Sequence, residues 1–169
     1  DDFIPLAEQT GLIRVVTRQV LAQSLEQCRR WTDSGVSIAV AVNIAAPALR
    51  DHELPNAVAE ALARAGLPPS LLTLEITESA LAEQTESVIE VMHALRSTGV
   101  RLSIDDFGAG YSSMVYLKRL PIDELKIDRA FVTDMLTDPR DRNIARAIIE
   151  LAHSLGVTVV AEGVEAHAL

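Results

Sequence analysis

Five apolar, β-branched segments of this chain each stop at a carboxylate, amide or amine side chain rather than at a neutral turn residue. They are VSIAVAVN ending at Asn43, LLTLE at Glu75, VRLSIDD at Asp105 and Asp106, ELKID at Lys126 and Asp128, and VTVVAE at Glu162. If the segments are parallel strands, their carboxyl ends share one rim. The pattern therefore predicts a rim of oxygen ligands with one lysine, which suits metal ions and an anionic substrate.

Segments with helical spacing separate these runs. The spacing predicts helices over 13–31, 53–65, 85–96, 114–118 and 140–155. Short strands alternating with longer helices indicate an α/β fold with a parallel sheet. An open doubly wound sheet gathers its ligand at one switch point, whereas here every strand end is polar, which favours a TIM-type (βα)8 barrel.

The length of the chain sets how much of a barrel it can form. A complete eightfold barrel takes about 250 residues, whereas this chain has 169. We therefore expect five or six of the eight βα units, in one domain over 1–169 that is truncated at both ends. The opening residues 1–5 lack the basic start and apolar run of a signal peptide, as expected for an interior piece of a longer protein.

The charge balance excludes some partners. With 15 Lys+Arg against 24 Asp+Glu, the net charge is -9, so no nucleic-acid polymer is expected to bind. Cys28 is the only cysteine, which excludes an intramolecular disulfide and fits a reducing compartment. The longest apolar stretch, 38–49, is too short to span a membrane. A cytoplasmic location is expected, with a membrane tether elsewhere in the parent left open.

The residue types at the strand ends point to hydrolysis of a phosphodiester. Asn43, Glu75, Asp105 and Asp106 offer hard oxygen donors, which favour Mg²⁺ or Mn²⁺ over zinc. Neighbouring strand residues point to opposite faces, so the two aspartates can share a site only if the strand gives way to a loop there. A carboxylate at such a turn can bridge two cations, which suits phosphodiester cleavage.

Further along the rim, Lys126 and Asp128 are two residues apart and are expected to share a face. The lysine could hold a water or offset phosphate charge, and Glu162 could take a proton from the attacking water. An E-x-x-E spacing that suggests a site residue with a loop-bracing partner occurs twice, in Glu75-Ile76-Thr77-Glu78 and Glu162-Gly163-Val164-Glu165. Any one of these acids could instead cap the following helix, but five successive strands ending in this way favour a site.

Longer motifs connect the chain with a known family. They are DDFGAGYSS at 105–113, LEITES at 74–79, LPIDELKID at 120–128, VVAEGVEA at 159–166, FIPLAEQTGLI at 3–13 and VNIAAPALRD at 42–51. In their order and spacing the chain closely resembles the EAL family of cyclic di-GMP phosphodiesterases. The resemblance implies a modified TIM-type barrel that hydrolyses cyclic di-GMP to linear pGpG with two Mg²⁺ or Mn²⁺ ions, and that Ca²⁺ inhibits.

The resemblance also assigns metal ligands. It implies that Asn43, Glu75 and Asp105 bind one metal, and that Asp105 and Asp106 serve the second. Asp128 matches a neighbour of the second metal.

Other roles follow from the same resemblance. Lys126 matches the lysine that contacts the nucleophilic water, and Glu162 the general base or a ligand through water. Glu78 matches the anchor of the DDFGAGYSS loop, which couples the site to a dimer interface, and Glu165 resembles a supporting residue. The substrate loop would comprise Phe107, Gly108, Gly110 and Ser112.

Two parts of the family pattern are missing. The Glu-Ala-Leu tripeptide that names the family should precede residue 1, and a Gln-Gly segment should follow Leu169. Glu60-Ala61-Leu62 spells the same letters but is predicted to lie within a helix, so it is a false match. We therefore expect the isolated fragment to be a poor enzyme, within a parent fused to GGDEF, PAS or receiver modules.

Two alternatives to the phosphodiesterase interpretation stay open at this point. An EAL-like domain could bind cyclic di-GMP or a protein without cleavage. An enolase-like barrel also places Asp, Glu and Lys at strand ends, although tandem aspartates followed by a glycine-rich loop count against it.

Overall fold

The computed structural model describes residues 3–81, 85–110 and 113–164, in which strands and helices alternate. The strands are β1 Val40–Asn43, β2 Leu72–Thr77, β3 Arg101–Phe107, β4 Glu124–Ile127 and β5 Thr158–Ala161. The α-helices are α1 Ile4–Gln9, α2 Ile13–Asp33, α3 Leu54–Ala65, α4 Glu86–Ser97, α5 Met114–Leu117, α6 Arg129–Val132 and α7 Pro139–Leu155. Short 3-10 helices cover Ala46–Arg50, Pro69–Leu71 and Glu78–Leu81.

The five strands form one parallel sheet in the order β1-β2-β3-β4-β5. Each strand lies beside the next one in the chain, without the reversal of order that marks a doubly wound sheet. This order confirms the α/β prediction and corresponds to an incomplete barrel. Among the described residues, no helix is both long and apolar enough to cross a bilayer.

Strand alternation separates an apolar face from a polar face. The side chains that face the helices are buried, among them Leu74, Ile104 and Leu125, each 0% exposed. The intervening positions belong to the opposite face because successive side chains on a strand alternate. Lys126, between the buried Leu125 and Ile127, is on this polar face, as the sequence pattern indicated.

One aspartate joins the amino ends of three strands. The Asp123 carboxylate accepts a hydrogen bond from the Leu102 backbone N–H at 3.0 Å and pairs with Arg96 at 2.7 Å. The carbonyl of Asp123 accepts from the backbone N–H and the hydroxyl of Thr158, at 2.9 and 3.0 Å. These bonds hold β3, β4 and β5 in register and thereby set the relative heights of their carboxyl ends.

Several predicted boundaries and elements differ from the structure. The first strand begins at Val40 rather than at residue 36, because its partner β2 begins opposite it at Leu72. Helices α1, of six residues, and α6, of four residues, were not predicted.

Candidate metal and active site

A β-bulge at the carboxyl end of β3 brings two adjacent aspartates to the rim. Ile104 pairs with Leu125 and Phe107 pairs with Ile127, so two residues of β3 lie opposite Lys126 alone. The second of these, Asp106, has φ 53°, a left-handed conformation that aspartate tolerates better than most residues. The strand continues to Phe107, so the prediction that it gives way to a loop at Asp105 and Asp106 was wrong. The bulge, rather than the end of the strand, breaks the alternation.

Lys126 is at the centre of an ion-pair network that joins four strand ends. Its Nζ lies 3.0 Å from Glu75 Oε1, 3.1 Å from Asp105 Oδ1 and 2.5 Å from Glu162 Oε1. The side chains of Lys126, Glu75 and Asp105 are 13–14% exposed, whereas that of Glu162 is 29% exposed. Residues from β2, β3, β4 and the end of β5 thus meet at one point, and Glu162 is the most accessible to water.

The network keeps Lys126 positively charged. Burial disfavours its charge, but hydrogen bonds with Glu162, Glu75 and Asp105 outweigh that effect and raise the pKa of Lys126 above its ordinary value. The ammonium is therefore protonated at neutral pH. It can act as a cation or hydrogen-bond donor, but not as a general base.

Three carboxylates at the rim are close enough to share an ion. Asp105, Asp106 and Glu162 each place an oxygen within 4.8 Å of the others. A set of hard oxygen donors at this spacing fits Mg²⁺ or Mn²⁺ and lacks the nitrogen or sulfur donors typical of zinc. Glu75 connects to this group through Lys126. The residues present therefore fit the divalent ions that the sequence predicted.

Crowded negative charge disfavours ionisation of Asp106. Burial, followed by the charges of Asp105, Asp128 and Glu162, raises its pKa, although Lys126 acts in the opposite direction. A carboxyl whose pKa is raised on folding costs stability when it ionises, so this cost is present above its folded-state pKa and disappears at lower pH.

We therefore expect Asp106→Asn to raise the free energy of unfolding at pH 7 in the presence of a chelator. Asparagine removes the repelled charge and tolerates the positive φ. The gain should shrink as the pH falls toward about 4, where aspartate becomes protonated. Urea unfolding at both pH values measures the effect, with the exposed Asp134→Asn as control. A less stable Asp106→Asn at pH 7 would contradict the electrostatic account.

Glu78 holds the loop that follows the two aspartates. Its side chain is 4% exposed, and Oε2 accepts hydrogen bonds from the backbone N–H groups of Gly108 and Gly110, both at 2.9 Å. A Cβ at Gly110 would lie 3.0 Å from the Glu78 carboxyl carbon. At Gly108, φ is 104° and a Cβ would lie 2.8 Å from Phe131. These glycines therefore allow the loop to pack against both side chains.

The residues of the predicted substrate loop differ in their exposure to solvent. Gly108 and Gly110 are exposed beside the rim. Phe107 is 3% exposed and belongs to the core as the last residue of β3, so it supports the loop rather than facing a substrate. Ser112 and the supporting residue Glu165 lie outside the described residues.

Asp128 has two roles in the structure. Its Oδ1 accepts the backbone N–H of Ala130 at 2.6 Å and caps α6, so the helix-cap alternative applies at this position. Asp128 also lines a cavity of about 230 Å³ together with Asp106, Glu78 and Gly110. It therefore lies beside the carboxylate group without contacting Lys126 directly.

Asn43 lies one strand outside the ion-pair network. Its Cα pairs with that of Glu75 across the parallel sheet, so the two side chains lie on the same face. Asn43 is exposed and lines a larger cavity of about 710 Å³ that Val16 and Val20 of α2 also border. Its position is at the rim, beside Glu75.

Some features near the site were missed from the sequence. Gly163 follows Glu162 directly, has φ 72°, and would place a Cβ 2.5 Å from Arg129 Cγ. Glycine therefore lets the Arg129 side chain lie across the turn that carries Glu162. Ser103 is fully buried, and its Oγ lacks a hydrogen-bond partner within the described parts of the chain. The sequence showed Gly163 after Glu162, but it gave no sign of the contact with Arg129.

The false tripeptide match is away from the rim. Glu60 lies within α3 and pairs with Arg64 of the same helix at 3.7 Å. Its side chain is 71% exposed. Glu60 cannot reach the strand ends, as predicted.

Comparisons with known proteins agree with this geometry. The family model for the EAL domain matches residues 1–168. The Pseudomonas aeruginosa bifunctional diguanylate cyclase/cyclic di-GMP phosphodiesterase MucR is 44% identical over 167 residues, which cover 98% of this chain and 24% of MucR. The P. aeruginosa cyclic di-GMP phosphodiesterase NbdA is 46% identical over 166 residues, covering 98% of this chain and 21% of NbdA.

A solved structure described as the PaMucR phosphodiesterase in complex with c-di-GMP superposes with a TM-score of 0.91. The match is 44% identical and covers 99% of this chain and 68% of that one. A partial parallel barrel with an acidic rim defines the fold class as TIM-barrel-like α/β. The chain belongs to the EAL domain family. It spans 20–24% of the length of its first four curated relatives.

Membership of this family argues against the enolase-like alternative. The whole-chain EAL match leaves no support for an enolase-like enzyme. Two of the relatives are named as cyclic di-GMP phosphodiesterases.

Proposed function

We propose that the full-length protein hydrolyses cyclic di-GMP to linear pGpG with two Mg²⁺ or Mn²⁺ ions. The observation that carries this proposal is the cluster of Asp105, Asp106 and Glu162 around the Lys126 ion pairs, at the rim of an EAL-type sheet. A relative with this fold is described in complex with c-di-GMP.

The proposal assigns the rim residues to two ions. Asn43, Glu75 and Asp105 would hold one, and Asp105 and Asp106, with Asp128 nearby, would hold the other. When bound, a pair of divalent cations stabilises the charge on the attacking and leaving oxygens of a phosphodiester. Ca²⁺ would inhibit because it prefers more ligands and longer bonds than Mg²⁺.

Glu162 is the proposed base because its side chain is accessible to water and lies within the carboxylate cluster. Its side chain is 29% exposed, about twice the exposure of Glu75 or Asp105, and it is part of the carboxylate cluster. Its carboxylate would accept the proton of the attacking water, and the nearby Lys126 ammonium would hold that water or the phosphate by donating a hydrogen bond.

The charge of the chain supports a requirement for cations. The chain has a net charge of -9, and the cluster of Asp105, Asp106 and Glu162 at the rim would repel a phosphate-bearing substrate. Bound divalent cations would reverse the local sign of the potential. Binding of cyclic di-GMP and its hydrolysis should therefore both depend on these ions.

We also propose that the chain is one module of a larger signalling protein. It covers only a fifth to a quarter of its curated relatives, which leaves room for GGDEF, PAS or receiver modules. A homodimer coupled to the Glu78 loop and a cytoplasmic site of action are further parts of this proposal.

The test uses the purified full-length protein with cyclic di-GMP and Mg²⁺ or Mn²⁺, with chromatography of the products. We expect linear pGpG to accumulate, and we expect a chelator or excess Ca²⁺ to stop its formation. Binding of cyclic di-GMP without turnover would overturn the enzyme proposal and favour a receptor. Failure to bind the nucleotide at all would overturn both.

A further inference from the structure

The Lys126 ammonium lies within hydrogen-bonding distance of three carboxylates of the candidate metal site, one for each of its N–H donors. An ammonium has three N–H donors and no acceptor, and Nζ is within 3.1 Å of three separate carboxylates. We infer that Lys126 is a built-in counter-ion that competes with divalent cations for Glu75, Asp105 and Glu162. The inference rests on the metal site of the proposed function and concerns its regulation.

Lys126 and the divalent cations would bind the same carboxylates. Asp105 and Glu162 belong to the cluster whose oxygens lie within 4.8 Å of one another, and both are paired with Lys126. Asp105 Oδ1 also accepts the backbone N–H of Asp106 at 3.1 Å. Carboxylates have spare lone pairs, but an ammonium held a few ångströms from divalent ions is repelled by them.

The same contacts determine when Lys126 can act on a substrate. While three carboxylates occupy its three donors, Lys126 has no N–H left for a water or a phosphate. A cation that takes over one of these carboxylates frees one donor. Metal binding therefore controls when Lys126 can act. Its ammonium can donate a hydrogen bond to a water or a phosphate only after the metal ions are bound.

The test measures Mn²⁺ affinity of the full-length protein without nucleotide, by electron paramagnetic resonance of the free ion. Lys126→Met removes the competing charge, and we expect about tenfold tighter binding, which corresponds to about 1.4 kcal/mol. We also expect a lower melting temperature in chelator, because Glu75, Asp105 and Glu162 lose their shared cation. Lys118→Met is the matched control, since Lys118 is exposed and is the only other lysine.

Unchanged or weaker Mn²⁺ binding by Lys126→Met would overturn the inference, because it would mean that the lysine assists binding or plays no part. Lys126→Arg keeps the positive charge and should bind Mn²⁺ much less tightly than Lys126→Met. If Arg and Met have the same effect, charge is not the cause and the inference fails.

A crystal structure of the unaltered full-length protein with Mn²⁺ makes the test independent of how the variants fold. We expect Lys126 to lose at least one of its three ion pairs there, and retention of all three would overturn the inference. Neither measurement uses turnover. A protein that binds Mn²⁺ as expected but does not hydrolyse cyclic di-GMP would contradict only the proposed function.

Discussion

Glu162→Gln is expected to lower the turnover number of the full-length protein for cyclic di-GMP by about 10²- to 10⁴-fold, the usual contribution of a general base. Glutamine has nearly the same shape as glutamate but cannot accept the proton. The pair with Lys126 would lose its charge attraction, while a hydrogen bond to the amide oxygen could remain. Single-turnover rates should be measured at saturating Mn²⁺, so that weaker ion binding does not account for the loss.

The matched control is Glu60→Gln, the same chemical change at the false tripeptide. Glu60 is 71% exposed on α3, where it forms an ion pair with Arg64 of the same helix. The turnover number of the Glu60→Gln variant should stay within about twofold of that of the unaltered protein, since exposed ion pairs contribute little to stability. A loss of less than about tenfold for Glu162→Gln would assign the base role elsewhere. A large loss for Glu60→Gln would contradict the position of that tripeptide.

Glu78→Ala should lower turnover by about 10- to 100-fold, the range typical of residues that hold ligands in place. The change removes the acceptor for the Gly108 and Gly110 backbone N–H groups. Those residues directly follow the bulge that orients Asp105 and Asp106. The loop should therefore lose its fixed path, and the affinity for Mn²⁺ should fall together with the turnover number.

Two further variants separate this effect from general destabilisation. Glu78→Gln retains an amide oxygen that can accept the same two hydrogen bonds, so it should recover much of the activity. Glu90→Ala changes an exposed glutamate on α4 and should leave turnover and Mn²⁺ affinity unchanged. If Glu78→Ala keeps full activity, the loop does not depend on this anchor. If Glu78→Gln is as impaired as Glu78→Ala, the negative charge matters more than the hydrogen bonds.

Much of the fold and the general position of the site could be predicted from local patterns. Leu125, Lys126 and Ile127 alternate apolar, polar and apolar, which is sufficient to place the lysine on the face opposite the helices. Glu75 and Glu162 were placed at the rim because each follows a predominantly apolar strand segment. The predicted parallel sheet is the one observed.

Details that depend on register were not predictable in this way. Whether Asp105 and Asp106 share the rim depends on a bulge against β4, and a bulge arises from pairing with a distant segment rather than from the residues themselves. Asp128 caps a four-residue helix that is too short to leave a periodic pattern. The core position of Phe107 follows from the same bulge, because the extra residue shifts the side-chain alternation and puts Phe107 on the buried face after Ile104.

The amino-acid sequence by itself determined the class of fold, the family and the set of acids at the strand ends, because side-chain alternation and helical spacing follow from local backbone geometry. Only the tertiary structure decided that Lys126 pairs with three of those acids and that Glu78 holds the neighbouring loop. Such contacts join residues up to 51 positions apart, from Glu75 to Lys126. Their distances are set by the hydrogen bonds between strands and by the joined amino ends at Asp123, which no local pattern contains.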